Sequence, residues 1–206
     1  MCSKDNHPLT VKAWDPLVRV FHWSLVFFFL LAFATEDDWM NLHVWAGYAV
    51  AMLVAFRLLW GVIGTRTARF PTFVKSPRTA MRHLRAMLSG KAPHYLGHNP
   101  LAAMMVVALL GSISLVAFSG MTLIATEGQG PLAGTIFAGI NGEAMEEVHE
   151  FFANFTLLLV FAHVAGVVIG SLFEGENLVK AMITGHKKVR SEWADVGTLG
   201  ELDDES

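Results

Sequence analysis

Cysteine is nearly absent from this 206-residue chain, and the single one, Cys2, excludes internal disulfides and cysteine-ligated iron–sulfur clusters. A covalently attached c-type haem is excluded as well, because no C-x-x-C-H occurs. Charge is scarce. Asp, Glu, Lys and Arg make up 16% of residues, where soluble chains carry roughly a quarter. A net charge of −3 argues against a nucleic-acid binder of the basic kind. Nucleotide-binding and flavin fingerprints are missing too. What the chain has in excess is apolar bulk: hydrophobic residues are 53%, with 15 Phe and 6 Trp, and mean hydropathy is +0.46. A surface of this size cannot hide that from water, so the composition predicts an integral membrane protein.

Charge-free runs mark the spans. Val20 to Thr35, with Leu17 and Val18 beyond Arg19, makes the first helix. Trp39 to Phe56, continuing past Arg57 to Gly64, makes the second. The third runs from about Leu101 to Ile124, and the fourth from Phe151 to Phe173. Each supplies the roughly 20 apolar residues that a hydrocarbon core of about 30 Å requires. Backbone groups in lipid must be satisfied within their own segment, which makes the spans helical. The fold class is therefore all-α, an integral membrane four-helix bundle.

Lys and Arg set the orientation. Lys4, Lys12 and Arg19 precede or open the first helix, and Arg57 sits late in the second. Seven bases from Arg66 to Lys91 fill the next loop, and Lys180, Lys187, Lys188 and Arg190 follow the fourth helix. The other two loops hold acids and no base: Glu36, Asp37 and Asp38 in one, Glu127, Glu143, Glu146 and Glu147 in the other. Both termini are expected in the cytoplasm. The first span is not read as a cleavable signal peptide, since a polar lead ending in Trp14-Asp15-Pro16 precedes it and no A-x-A pattern follows. In the basic loop, Ser76-Pro77 and Gly90 bracket an amphipathic segment. Ala80, Met81, Leu84, Met87 and Leu88 lie opposite Arg78, Arg82 and Arg85, a pattern for a short helix on the inner leaflet or a partner-docking helix. The glycine-rich outer loop 128–142 is expected to fold against the membrane surface or the helix tops. Residues 1–190 form the membrane domain, and 191–206 an acidic tail without periodicity.

Nine histidines remain to be sorted. His7, His83, His94, His98 and His186 lie in tails or the cytoplasmic loop, where solvated surface is the ordinary reading. His22, His43, His149 and His163 lie in or at the ends of spans, where an ionisable residue is expensive and points to function. Their depths form a pattern. His43 and His149 fall level near the outer surface, and His22 and His163 fall level nearer the inner one. On the fourth helix, His149 and His163 are 14 residues apart, within roughly 40° of four turns and about 21 Å along the axis. Two histidine pairs stacked across the membrane suit two bis-imidazole haem irons, each ring supplying four nitrogens and the protein two. Gly47, four residues after His43, and Gly166, three after His163, leave room for a porphyrin face. Gly166 with Gly170 also fits close helix packing. Arg19 and Arg57, at the inner level, fit either haem propionates or snorkelling to the interface. Met121 is a rival axial ligand in a helix without histidine, although such a methionine is normally packing.

Several stretches carry a family resemblance. Trp14-Asp15-Pro16-Leu17-Val18-Arg19-Val20-Phe21-His22-Trp23 resembles the opening of bacterial cytochrome b561 and of the cytochrome b subunit of nickel–iron hydrogenases. So do Leu42-His43 with Ala46-Gly47-Tyr48, Phe56-Arg57-Leu58-Leu59-Trp60-Gly61, Gly97-His98-Asn99-Pro100-Leu101, and the two fourth-helix histidines. The resemblance covers roughly residues 12 to 187. It implies two non-covalent b haems ligated by His22, His43, His149 and His163. It also implies electron transfer between the quinone pool and a partner, either a periplasmic c-type cytochrome or a hydrogenase-like subunit. A histidine-lined metal-ion transporter is the rival of another class, but it calls for carboxylates inside the spans and none lies away from a span's end. A di-iron oxygenase needs clustered histidine boxes at one depth, and a purely structural bundle leaves the depths unexplained.

The orientation is open to a direct check. A reporter that works only in the cytoplasm, fused to either terminus, is expected to be active at both ends, and a periplasm-dependent reporter at neither. Periplasmic activity at one end contradicts the assignment.

Overall fold

The computed structural model describes residues 9–12, 14–65, 68–74, 76, 78–79, 81–82, 85, 100–174 and 177–189. Four helices are long and apolar enough to cross a membrane. They are α1 (Pro16–Ala34), α2 (Met40–Ile63), α3 (Pro100–Thr126) and α4 (Gly142–Glu174). A one-turn helix lies at Phe70–Phe73 and a 3-10 turn at Ile136–Gly139. After α4 come α5 (Leu178–Thr184) and a strand, β2 (His186–Val189), which pairs antiparallel with β1 (Leu9–Lys12). The architecture is all-helical apart from this ribbon, which the sequence reading did not anticipate.

The helix starts are written in local chemistry. Asp15 precedes α1 and accepts from the amides of Leu17 (2.8 Å) and Val18 (3.4 Å), with Pro16 in the first position. Pro100 opens α3 in the same way. Asn141 accepts from the Ala144 amide at 2.9 Å to start α4. This fourth helix begins nine residues before the charge-free run does, so His149 lies two turns inside the helix rather than at its start. The physical reason is that Glu143 sits in the first turn, where the helix dipole favours an acid, and the turns carrying Glu146, Glu147 and Glu150 need not be apolar. At 33 residues α4 spans about 50 Å, well beyond a hydrocarbon core.

The chain divides into two compact units. One comprises Val20–Ile63 and Met105–Val164, which is the bundle proper and holds all four spanning histidines. Its core is Val50, Val54 and Ile113, with Leu25 and Phe28 packed against them. Small polar groups join α3 to α4. The Ser112 and Thr156 hydroxyls share a hydrogen bond, Thr156 donates to the Phe152 carbonyl at 2.7 Å, and Thr156 is wholly buried. Where lipid is as apolar as leucine, packing of small residues and interhelical hydrogen bonds replace hydrophobic burial as the adhesive. Large apolar side chains instead face outward, among them Trp45, Met52, Phe151 and Phe161. The outer loop lies on this unit: Phe137 meets Phe118 edge-on at 5.2 Å between ring centroids. Gly130 takes φ +75°, and a Cβ there would stand 2.7 Å from the Tyr48 hydroxyl.

The second unit gathers the described parts of Met1–Arg19, Gly64–Met104 and Ala165–Ser206. Asp15 Oδ2 accepts from Thr65 Oγ1 at 2.7 Å, the Trp14 amide donates to the Gly185 carbonyl, and Arg19 Nη2 donates to the Ile183 carbonyl. Asn177 caps α5 through the Lys180 amide, and Gly185 ends it with φ +82°. In the basic loop Ser76 Oγ accepts from the Thr79 amide, and Arg78, Thr79, Met81, Arg82 and Arg85 are helical. The rest of the amphipathic segment and the tail 191–206 lie outside the described residues.

Thr156→Val removes one partner of the buried hydroxyl pair and leaves Ser112 unsatisfied. A loss of about 1 kcal/mol is expected, read as an earlier unfolding midpoint in a detergent titration. An unchanged midpoint means the pair contributes nothing to holding α3 on α4.

Candidate functional site

Each spanning histidine is delivered by a different stretch of helix, and the bundle brings them together two by two. His22 on α1 faces His163 on α4, with ring centroids 6.4 Å apart and planes at 57°. His43 on α2 faces His149 on α4, at 6.1 Å and 85°. The four rings are neither exposed nor fully buried. These separations are too long for a direct hydrogen bond between rings. They fit a shared metal: a bond of about 2 Å to each nitrogen, with roughly 1.1 Å from nitrogen to ring centre, puts two axial imidazoles roughly 6.2 Å apart.

The second ring nitrogens test the fit further. His43 Nδ1 lies 2.8 Å from the Ala32 carbonyl near the end of α1, so it donates there and presents its Nε2 lone pair. His149 Nδ1 lies 3.1 Å from the Val116 carbonyl and 3.0 Å from Ser119 Oγ, both on α3. His22 Nδ1 is buried and has no hydrogen-bond partner among the described residues. Among those residues no group of three or more His, Cys, Asp or Glu converges on one point. Two imidazoles fill two coordination positions, and a tetrapyrrole supplies the four that these pairs lack. A Cβ built on Gly47 or on Gly166 would meet nothing within 4 Å, so no neighbouring side chain fills either position. The residues therefore fit haem.

The remaining expected residues fall as follows. Arg57 is 3% exposed within α2. Arg19 commits one guanidinium nitrogen to the Ile183 carbonyl, and its Nε is buried without a hydrogen-bond partner among the described residues. Met121 belongs to α3. His186 is exposed on β2. His7, His83, His94 and His98 lie outside the described residues. Sequence reasoning missed Ser119 and Gly120. The one available signal was a Ser-Gly pair deep in an apolar helix, where small residues mark close approach by a neighbour.

A family profile for prokaryotic cytochrome b561 matches residues 13–185. A probable Ni/Fe-hydrogenase B-type cytochrome subunit of Cupriavidus necator is 24% identical over 163 residues, covering 70% of this chain. The chain spans 65% of that relative's length. No solved structure matches. With four helices long and apolar enough to cross a membrane and a profile match over most of its length, the chain belongs to the prokaryotic cytochrome b561 family and is a multi-pass membrane protein.

Proposed function

We propose that the chain carries electrons across the bacterial inner membrane through two b haems, between the quinone pool and a redox protein on the outer side. The observation that carries this reading is the pair of histidine couples at bis-imidazole spacing, His43 with His149 and His22 with His163. Each haem, when bound, supplies a one-electron iron couple. The protein's part is ligation, burial and charge. His149 and His163 anchor both sites to one continuous helix, about 21 Å apart along its axis. Gly47 and Gly166, four and three residues from a histidine, have open space where a side chain would stand. Arg19 and Arg57 supply cations at the inner level for propionates.

The chain has no nucleotide or flavin motif, so electrons must enter and leave through partners. One is quinone or quinol in the membrane. For the other, a basic c-type cytochrome suits the acidic outer loops, whose field would steer its approach. A second reading, a subunit anchoring a nickel–iron hydrogenase, is favoured by the B-type hydrogenase cytochrome similarity.

A pyridine haemochrome assay on purified protein is expected to give two b haems per chain. His43→Ala or His149→Ala should each remove one α-band component, and His22→Ala or His163→Ala the other. One haem in the wild type, or the same component lost from both sets, breaks the pairing. None at all sinks the cytochrome reading and reopens the transporter.

The partner half has its own test. A water-soluble quinol analogue, added anaerobically to the oxidised protein, is expected to reduce haem, and a basic c-type cytochrome to reoxidise it at a rate that falls steeply with salt. Haem reducible by dithionite but not by quinol removes the quinone half of the proposal.

A further inference from the structure

Building on the ligand assignment above, we infer that Ser119, Val116 and Gly120 of α3 are positioning residues that set the tautomer and the plane of His149. The hydrogen count decides the tautomer. Ser119 Oγ lies 3.0 Å from the Val116 carbonyl and donates its proton to it. Its lone pairs then face His149 Nδ1 at 3.0 Å, while the Val116 carbonyl lies 3.1 Å from the same nitrogen. A carbonyl accepts only, and a hydroxyl whose proton is already given can only accept as well. Nδ1 therefore carries the hydrogen and shares it between the two oxygens. The lone pair is left on Nε2, which becomes the ligating atom. Ser119 is 3% exposed, so water does not compete for these bonds.

Gly120 sets the plane. A Cβ at that position would stand 2.9 Å from His149 Cε1 and 3.3 Å from Nδ1, a distance that real Cβ atoms do not tolerate. Only a residue without a side chain lets the Cε1–Nδ1 edge of the imidazole come this close to α3. The facing ring is held in the same manner, His43 Nδ1 being tied to the Ala32 carbonyl. With both rings anchored, their 85° crossing is imposed by the protein, whereas the inner pair crosses at 57°. Perpendicular axial imidazoles leave the two iron orbitals that interact with their π systems almost equal in energy. A low-spin ferric centre of that kind gives a highly anisotropic electron paramagnetic resonance signal. That signal reports the His149 plane, which a merely structural role for α3 would not move.

The test uses full-length, haem-loaded protein purified in detergent, with ferric resonance spectra and a potentiometric titration of the α-band. Ser119→Ala is expected to keep its haem content while reducing the anisotropy of the more anisotropic signal. It should also raise the midpoint potential of one component, because a weaker hydrogen bond makes the imidazole a poorer donor to ferric iron. The other component should stay in place, and Ser119→Thr, which keeps the hydroxyl, should restore the native values. Gly120→Ala is expected to lose one haem or turn it high-spin, while Ser112→Ala, a hydroxyl bonded to Thr156 instead, leaves both spectra native. Native spectra and potentials in both Ser119→Ala and Gly120→Ala overturn the inference. So does an equal change in both components, or the same change in Ser112→Ala, since either reports general packing. Wild-type protein without haem overturns the ligand assignment along with it. Haem that His149→Ala removes but that ignores changes at 119 and 120 overturns this inference alone.

Discussion

An imidazole placed in hydrocarbon is costly unless its polar nitrogens find partners, and for His43 and His149 a neighbouring helix supplies them. Water is not there to take the N–H, so a neighbouring helix must. For His43 the acceptor is the Ala32 carbonyl, two residues from the end of α1, where backbone carbonyls lack an amide four residues on. For His149 it is a mid-helix carbonyl supplemented by a serine hydroxyl. His43 and His149 thus tie α2 to α1 and α4 to α3 through their Nδ1 atoms. Removing either ring would leave a carbonyl or hydroxyl poorer by one bond.

This division of labour explains the third helix. It bears no spanning histidine, yet it supplies the acceptors for one and, through Gly120, the surface on which that ring rests. It is pinned to α4 by the Ser112–Thr156 hydroxyl pair, and α4 is the helix that presents both His149 and His163. A single helix carrying one histidine of each pair keeps the two pairs in register without further machinery. The other two histidines come from α1 and α2, so four spans are the smallest set that builds both pairs and still has an orienting wall.

The unit holding both chain ends is made by different physics. Asp15 closes the first turn of α1 and also receives the Thr65 hydroxyl, while Trp14 and Arg19 donate to the carbonyls of Gly185 and Ile183. The ribbon pairs Leu9 with Val189 and Lys12 with His186. Carbonyls at the end of α5 have no helical partner of their own, and these donors meet them. Short strands of four residues with mixed side chains carry no sequence period worth reading, and their pairing joins residues about 175 positions apart.

The four spans were legible because transfer of each segment into lipid is a sum over its own residues, with no reference to the rest of the chain. The family was legible for a related reason, since ordered short motifs around His22, His43 and Arg57 lie within single helices. Charge-free runs misjudged the start of α4, because a helix continues through acidic turns that lipid never touches. What no local sum contains is rotation. Depth along each axis indicates which histidines stand level, but the direction of each ring depends on how four helices turn about their own axes. It depends also on which carbonyl comes within reach. The 6.1 and 6.4 Å separations, the 85° and 57° crossings, and the service of Ser119 and Gly120 to His149 were decided by helix-on-helix packing, where one small residue admits a neighbour's ring and a larger one refuses it.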